Sequence, residues 1–307
     1  MASPSDLRLL SLTRRSAKFE YALFDSADAA AEMRAQMDRD DDWCMDVGSQ
    51  TIDVLEHERY FVHGTPIELS DRLLAQRLST LDLPPEAELP AFRKRFQTTR
   101  VEVRNTTLTA ATRQARHGVF RVLTVMPTDG NHPGGKLLDH GRGIEEFVCR
   151  TTTVLSSLAG LAMYPFHREF SPVVATEWAA LCPGVRVIRS DDGGLLTEPW
   201  TMDILAISPP RTQGLSELAR EVLLTQRFTR MLWIAGAFGY DRVVLPPFGT
   251  GAYGAHPELV ADCLARVMVR PFRGTFDRIV LANPDWSPER RYTRPFHRRF
   301  RQLTTVS

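Results

Sequence analysis

Two glycine-rich loops and one pair of adjacent glutamates are the parts of this 307-residue chain whose residue types and spacing could do chemistry. The first glycine loop, Thr128–Gly143, and the second glycine loop, Gly249–Gly254, each follow an apolar run and precede a helical pattern. Glycine lets backbone N–H groups approach an anion closely, because no Cβ intervenes and positive φ is allowed. Two such loops at the ends of strands in one sheet could hold the two sides of a diphosphate, helped by the helix start behind each loop.

Glu145 and Glu146 come directly after the first glycine loop, at the predicted start of a helix. The helix dipole alone favours acidic residues at that position. Adjacent residues lie about 100° apart around a helix, so one carboxyl could point into a cleft between the two loops while the other supports it. Cleavage of a glycosidic bond beside a diphosphate needs a general acid. A second carboxylate and partial burial would raise the pKa of that acid toward neutral pH.

Other catalytic chemistries find less support in the residue patterns. Neither loop has the Lys-Ser/Thr ending of a P-loop or the spacing of a dinucleotide-binding fold, and no Gly-x-Ser-x-Gly elbow exists. The three carboxylates of Asp40–Asp42 point in different directions, which favours a solvated helix end over a metal site. We predict no structural metal site and no disulfide framework, because the four cysteines are widely spaced without clustered histidines: Cys44, Cys149, Cys182 and Cys263. We also predict no cofactor.

The pattern of apolar residues, from which the helices and strands that position these loops are predicted, changes near residue 98. Before that point, helix-like stretches such as Tyr21–Arg39 alternate with breakers, and Pro84, Pro85 and Pro90 mark a linker. After it, short β-branched runs alternate with longer amphipathic ones, which is typical of an α/β fold with a mainly parallel sheet covered on both faces. The predicted strands are Val101–Arg104, Val119–Val125, Val185–Arg189, Met202–Ser208, Arg242–Pro246 and Ile279–Ala282. The predicted helices are Leu108–Arg116, Ile144–Leu158, Leu215–Ala237, Pro257–Val269 and Glu289–Gln302.

Composition and charge exclude several broad classes of protein. The chain is 43% hydrophobic and 24% charged, with 38 Lys and Arg against 37 Asp and Glu, as in ordinary globular proteins. This balance gives no global field toward nucleic acid or an anionic membrane, so a site for a charged ligand must be local. No run approaches the roughly 18 apolar residues of a membrane helix, and the N-terminus lacks a signal-peptide pattern. We therefore expect a cytoplasmic protein with no membrane partner.

Four segments carry a resemblance to a known family: Val101–Ala111, the Pro133-Gly134-Gly135 turn with the glutamate pair, Glu198–Asp203 and the second glycine loop. In this order they resemble the microbial-type poly(ADP-ribose) glycohydrolase family, whose fold is a macrodomain. The resemblance covers roughly residues 99 to 285. It implies a macrodomain-like three-layer α/β/α domain over residues 99–307, with a mixed, mainly parallel sheet, and a helical N-terminal extension over residues 1–98.

The resemblance also implies roles for individual residues. Glu146 would be the general acid that protonates the leaving oxygen and then the base that activates water, and Glu145 would hold ribose hydroxyls. Gly134 and Gly135 would approach the distal ribose and diphosphate, and Tyr253 stands where the family usually has Phe. Backbone donors to the phosphates would come from the second glycine loop: Gly249, Thr250, Gly251, Ala252 and Gly254. No metal is implied.

The chain departs from the family pattern at two positions. Lys136 replaces the third glycine of the family's Gly-Gly-Gly turn, adding a positive charge that could strengthen anion binding or obstruct the backbone approach. Ile144 replaces a glutamine and removes one hydrogen-bonding side chain from the helix start. Asn131, in the same loop, could contact a ribose or simply form the turn.

The predicted activity is metal-independent hydrolysis of an O-glycosidic bond of ADP-ribose or poly(ADP-ribose), which releases ADP-ribose. Partners would be ADP-ribose and ADP-ribosylated substrates, either proteins or nucleic acids. An ADP-ribose-binding module with little or no turnover is the alternative, and a hydrolase for another nucleotide sugar on the same scaffold is a third. The arginines that follow Glu289 are predicted to lie on the exposed side of a helix whose aromatic residues pack on the sheet.

Overall fold

An eight-stranded sheet forms the centre of the computed structural model, which describes residues 17–171 and 173–303. The strands in this part of the chain are β1 (Lys18–Phe24), β2 (Arg59–Val62), β3 (Thr65–Glu68), β4 (Leu81–Leu83), β5 (Thr98–Arg104), β6 (Val122–Pro127), β7 (Ala179–Arg189), β8 (Leu195–Ile207), β9 (Arg242–Leu245) and β10 (Arg278–Ala282). The sheet has the order β1-β5-β10-β9-β6-β8-β7-β4, while β2 and β3 form a separate hairpin. The first six strands in this order, β1-β5-β10-β9-β6-β8, all pair in parallel. The last two strands pair antiparallel, β7 with β8 and β4 with β7. The predicted mixed, mainly parallel sheet is confirmed.

Helices cover both faces of this sheet. In the described ranges they are α1 (Ala27–Met37), α2 (Asp41–His57), α3 (Ser70–Ser79), α4 (Leu108–Ala115), α5 (Ile144–Thr151), α6 (Val154–Leu158), α7 (Met163–Phe170), α8 (Glu217–Ala237), α9 (Pro257–Val269) and α10 (Thr293–Leu303). Successive residues of β10 alternate between two hydrophobic clusters, because side chains along a strand point to opposite faces. One cluster includes side chains of α8, α9 and α10, and the other includes side chains of α4, α5, α6 and α7. The predicted three-layer α/β/α architecture is therefore confirmed.

The central strands of the sheet could be predicted from the sequence because they are buried. Every residue of β6 and of β9 is buried, which is the near-continuous apolar pattern of a parallel strand covered on both faces. The C-terminal helix also follows the expectation, since Phe296 and Phe300 of α10 are fully buried and Arg294 and Arg298 are exposed. Across the ranges that the structure describes, no helix combines the length and apolar character needed to cross a bilayer.

Two predicted helices are divided or displaced. The predicted helix Ile144–Leu158 is interrupted at Thr152, whose extended backbone forms an isolated bridge with Val187 of β7. The predicted helix Tyr21–Arg39 begins only at Ala27, where the Ser26 side chain accepts a hydrogen bond from the backbone N–H of Ala29. The residues before it form β1, because they pair in parallel with β5 along seven positions. Pairing with a strand that is distant in the sequence does not produce a regular spacing of apolar residues within the strand itself.

The residues before 98 therefore form more than the predicted helical extension. Strand β1 lies at one edge of the main sheet and β4 at the other, so this part of the chain contributes both edge strands. Both strands bury few side chains, which is why their sequences resemble loops or helix ends. Asp40 caps the N-terminus of α2 by accepting a hydrogen bond from the backbone N–H of Trp43, at a distance of 2.7 Å. The aspartate triplet thus begins a helix, and α2 packs against α5.

Candidate active site

A cleft of about 580 Å³ opens at the carboxyl ends of β6, β9 and β10. This is the edge at which parallel α/β sheets usually bind ligands. Both glycine loops line the cleft, and so does the glutamate pair at the start of α5. Other side chains in its wall are Met37, Asp129, Arg142, Arg211, Trp286 and Tyr292.

Glu145 is the more deeply placed of the two glutamates, with 6% of its surface exposed. Its Oε1 accepts hydrogen bonds from the Thr128 hydroxyl at 2.6 Å and from the Gly134 N–H at 3.0 Å. Its Oε2 accepts one from the Asp129 N–H at 2.6 Å. Burial raises the pKa of Glu145 to about 8, although the bonds from Thr128 and Asp129 act in the opposite direction. Glu145 therefore ties the first glycine loop to the end of β6.

Glu146 is half-buried in the cleft and is held by the loop backbone. Its Oε1 accepts a hydrogen bond from the Lys136 N–H at 3.0 Å. Three glycines make room for its side chain, since a Cβ would lie 2.6 Å from Oε1 at Gly135, 2.6 Å from Cγ at Gly141 and 2.5 Å from Oε2 at Gly143. A larger residue at any of the three would have to displace the carboxyl group. No role for Gly141 and Gly143 was predicted from the sequence.

Helix α2 holds this loop in place from the outside. The buried guanidinium of Arg150, on α5, donates to the Cys44 carbonyl of α2 at 2.9 Å and also to the Gly141 carbonyl. Arg142 of the loop forms an ion pair with Asp41 at the start of α2, with an N–O distance of 2.6 Å. A segment outside the predicted domain therefore supports the backbone that surrounds Glu146.

The second glycine loop also lines the cleft. It contains a short 3₁₀ turn at Gly251–Tyr253, and the Tyr253 hydroxyl donates to the Thr128 carbonyl at 3.3 Å, which links the two loops. Burial raises the pKa of Tyr253, so the phenol stays protonated and able to donate. The guanidinium of Arg211 lies 5.6 Å from the centre of the Tyr253 ring and lines the same wall.

The structure brings most of the predicted site residues together around the cleft. Eight of them line it: Lys136, Glu145, Glu146, Gly249, Thr250, Gly251, Ala252 and Tyr253. Gly134 and Gly135 lie behind the carboxyl groups and shape the turn, and Gly254 turns the chain away with its backbone N–H bonded to the Gly251 carbonyl. The N–H of Thr250 likewise donates to the protein backbone, to the Pro247 carbonyl just before the loop.

The positions of Asn131 and of the Lys136 side chain differ most from those predicted from the sequence. Asn131 lines a smaller neighbouring cavity, and its backbone binds Asp129 and Arg168. The Lys136 side chain is 73% exposed and extends toward Asp139, with an N–O distance of 3.9 Å. The Lys136 side chain therefore does not fill the space beside the glutamates, while its backbone supplies the N–H that binds Glu146.

Two aromatic side chains that line the cleft, Trp286 and Tyr292, had no place in the site predicted from the sequence. Trp286 and Tyr292 follow β10, and Asp285 fixes their loop by accepting hydrogen bonds from the Tyr292 N–H and the Ser287 hydroxyl. The Asn105 side chain bonds to both the N–H and the carbonyl of Asp285. The loop after β10 has no glycine pattern, so the aromatic residues beyond a buried strand were the only feature of the sequence that could have indicated this part of the site.

Within the described ranges, no group of three or more His, Cys, Asp or Glu residues is arranged to hold a metal ion.

The raised pKa of Glu145 predicts a pH-dependent stability. Between its ordinary pKa of 4.5 and the raised value of about 8, the folded state binds a proton that the unfolded chain releases, so wild-type stability falls as pH rises. Glu145→Gln lacks this titration. The free energy of unfolding of the variant minus that of the wild type should therefore rise by up to about 1.4 kcal/mol per pH unit in that window and then level off.

Chemical denaturation at a series of pH values measures this difference. Glu198→Gln, at an exposed position on β8, is the matched control and should run parallel to the wild type. A flat difference for Glu145→Gln would show that the Thr128 and Asp129 donors keep the carboxylate ionised throughout.

The fold and the cleft define a class of protein, a three-layer macrodomain-like α/β structure with a carboxylate pair in a ligand cleft. The family model for the catalytic domain of microbial-type PARG matches residues 48–190, which include the first glycine loop and both glutamates. No curated protein sequence matches the chain. The match covers a little under half of the chain, and together with the structural similarities that follow it shows that the chain is similar to the microbial-type poly(ADP-ribose) glycohydrolase family at low sequence identity.

Several solved structures are similar to the chain. Poly(ADP-ribose) glycohydrolase from Thermomonospora curvata has 27% sequence identity and a TM-score of 0.77, over 83% of this chain and 98% of that one. The same enzyme bound to the inhibitor ADP-HPD has 26% identity and a TM-score of 0.75, over the same shares. Poly(ADP-ribose) glycohydrolase from Deinococcus radiodurans in complex with ADP-ribose has 25% identity and a TM-score of 0.69, over 76% of this chain and 98% of that one.

Proposed function

We propose that this chain is an ADP-ribosyl glycohydrolase that cleaves an O-glycosidic bond of ADP-ribosylated substrates and releases ADP-ribose. The observation that carries the proposal is the position of the glutamate pair, with Glu146 half-buried in a cleft that the second glycine loop also lines. The similarity to glycohydrolases with ADP-ribose or ADP-HPD bound supports the same ligand class. The acceptor would be another ADP-ribose unit, a protein or a nucleic acid.

The ligand would lie along the cleft with its scissile bond at the glutamates. The second glycine loop and Arg211 would hold the diphosphate, because backbone N–H groups and a guanidinium both favour an anion. Trp286 and Tyr292, which also line the cleft, would pack against the adenine ring, as aromatic side chains commonly do with planar rings. The Glu145 carboxyl group already accepts three hydrogen bonds within the protein and would accept a further one from a ribose hydroxyl.

Glu146 would perform both proton transfers. As the bond between the anomeric carbon and the leaving oxygen breaks, the Glu146 carboxyl gives its proton to that oxygen and becomes a carboxylate. A water molecule then adds its oxygen to the anomeric carbon and returns its proton to Glu146. The products are ADP-ribose and the free acceptor hydroxyl. Protonation by Glu146 activates the leaving group, so turnover should persist in the presence of a metal chelator.

Two measurements on the wild-type protein test this function. Calorimetric titration with ADP-ribose should show binding, and incubation with poly(ADP-ribose) in EDTA should release ADP-ribose, detected by chromatography. Binding without release would instead support a module that only recognises ADP-ribose. Absence of both would support a hydrolase for another nucleotide sugar.

A further inference from the structure

Helix α7 contacts the first glycine loop through two buried side chains, Tyr164 and His167. Residues three positions apart lie on the same face of a helix, so both side chains can reach one short stretch of the loop. Tyr164 is 2% exposed, His167 is fully buried, and neither lines the cleft. The mechanism proposed above gives neither residue a function.

Tyr164 is bonded to the hydroxyl group that holds Glu145. Its own hydroxyl lies 3.3 Å from the Thr128 hydroxyl oxygen. Thr128 donates its proton to Oε1 of Glu145 at 2.6 Å, so Tyr164 must be the donor to Thr128. Burial holds the pKa of Tyr164 well above its ordinary value, so the phenol keeps the proton that it donates. The hydrogen bonds therefore run in one direction, from α7 through Thr128 to Glu145.

His167 binds the residue that follows Asp129, the second donor to Glu145. Its Nε2 accepts a hydrogen bond from the Thr176 N–H at 3.1 Å, and a ring nitrogen that accepts carries no proton. The proton is therefore on Nδ1, which donates to the Gly130 carbonyl at 3.1 Å. A Cβ on Gly130 would lie only 3.0 Å from Nδ1, so the loop backbone packs directly against the imidazole.

The groups around His167 keep its imidazole neutral. Burial is the main cause that lowers its pKa from the ordinary value of 6.5. Arg227 of α8 lowers the pKa further, and its guanidinium pairs with the Glu177 carboxylate at 2.8 Å. The bond to the Gly130 carbonyl and the charge of Asp82 on β4 raise the pKa, but the lowering causes prevail. The tautomer that binds both Gly130 and the Thr176 N–H is therefore the one present at pH 7.

We propose that Tyr164 and His167 are positioning residues for the hydrolysis, because they fix the loop segment that holds Glu145 in the cleft. This inference rests on the proposed function. Two of the three donors to Glu145 belong to that segment, the Thr128 hydroxyl and the Asp129 N–H. A shift of the segment would move the Glu145 carboxyl group and, with it, the ribose whose hydroxyl this group binds. The scissile bond would then lose its alignment with the general acid.

Acid should release the part of this contact that depends on His167. An added proton must go to Nε2, where it would face the Thr176 N–H, and two donors cannot bond to each other. The imidazolium would also lie beside the Arg227 guanidinium, so it has to move and give up the Gly130 carbonyl. Turnover of the wild type should therefore fall as the pH drops below 6.5, the ordinary pKa of histidine.

His167→Asn tests this pH dependence. The asparagine amide nitrogen is attached to Cγ, as Nδ1 is in histidine, so it can still donate to the Gly130 carbonyl, and it does not titrate. Its kcat at neutral pH should stay within about threefold of the wild type. The ratio of variant to wild-type kcat should rise by about fivefold from about pH 7.5 to about pH 4.5, since only the wild type loses a hydrogen bond in acid. Circular dichroism confirms over the same range that both proteins stay folded.

Tyr164→Phe tests the other contact, because it removes only the hydroxyl group that binds Thr128. It should lower kcat by about fivefold, the effect of one hydrogen bond. The Kd for ADP-ribose, measured by calorimetry, should stay within about threefold, because Tyr164 does not line the cleft. Tyr60→Phe is the matched control: Tyr60 is 4% exposed and donates to the Leu196 carbonyl at 2.7 Å, outside the cleft. It should lose similar stability and keep wild-type turnover.

His63→Asn is the control for the pH series, since His63 is exposed between β2 and β3 with a φ of +49°, which asparagine tolerates. Its kcat ratio to the wild type should not change with pH. An unchanged kcat in Tyr164→Phe, or a flat ratio in His167→Asn, would overturn the positioning role while wild-type hydrolysis upheld the proposed function. An equal loss of turnover in Tyr60→Phe would also overturn it, because lost stability would then explain the effect. Absence of hydrolysis by the wild type would overturn both.

Discussion

Glu146→Gln should lower kcat for ADP-ribose release by about a thousandfold, since positioned general acid–base groups contribute roughly 10²- to 10⁴-fold. The amide has nearly the same shape as the carboxyl group, and its oxygen can still accept the hydrogen bond from the Lys136 N–H. The turn around Gly135, Gly141 and Gly143 should therefore keep its conformation. Only the proton that the leaving oxygen requires is removed.

Binding should be nearly unaffected by this change, because Glu146 acts on the scissile bond rather than on the diphosphate. We expect the Kd for ADP-ribose, measured by calorimetry, to stay within about threefold of the wild type. Glu198→Gln on the exposed surface of β8 is the matched control and should keep full turnover. Full turnover in Glu146→Gln would remove this residue from the mechanism, and a joint loss of binding and turnover would indicate a disturbed loop instead.

The parts of the site that the sequence predicted are those encoded within short segments. Both glycine loops stand between an apolar run and a helical pattern, and the glutamate pair begins the helix behind the first loop. A buried parallel strand such as β6 is a continuous apolar run, so its carboxyl end could be located without knowledge of the neighbouring strands. The cleft at that edge of the sheet then followed from the general rule for parallel α/β sheets.

The parts that were missed depend on contacts between distant segments. Strand β1 is defined by its pairing with β5, about eighty positions away, and not by its own pattern of apolar residues. Arg150 looked like an ordinary helical arginine, although it joins the Cys44 carbonyl to the Gly141 carbonyl. Gly143 matters because the Glu146 carboxyl group lies against it, and the conformation of that side chain cannot be predicted from the spacing of residues in the sequence. Trp286 reaches the cleft only because Asp285 and Asn105 fix its loop.

Gly135→Ala should lower kcat/KM for ADP-ribose release by about a hundredfold, because misplacing a catalytic group by about 1 Å can have an effect of that size. The added methyl would lie 2.6 Å from Oε1 of Glu146, closer than any relaxed contact, and 3.0 Å from Oε2 of Glu145, which is a tight contact. Glu145 is fixed by three donors, so the half-buried Glu146 side chain is the one that would move. The acid would then lose its place beside the leaving oxygen.

Stability should change far less than activity in this variant. Gly135 has a φ of +57°, a left-handed conformation that costs an alanine about 1–2 kcal/mol, and the displaced carboxyl lies at the flexible end of a side chain. Gly64→Ala is the matched control, because Gly64 has a φ of +80° with no atom within 4 Å of its Cβ position. Both variants should lose similar stability in chemical denaturation, while only Gly135→Ala should lose turnover. Equal activity in the two variants would mean that the carboxyl groups at this turn do not have to be held in place for catalysis.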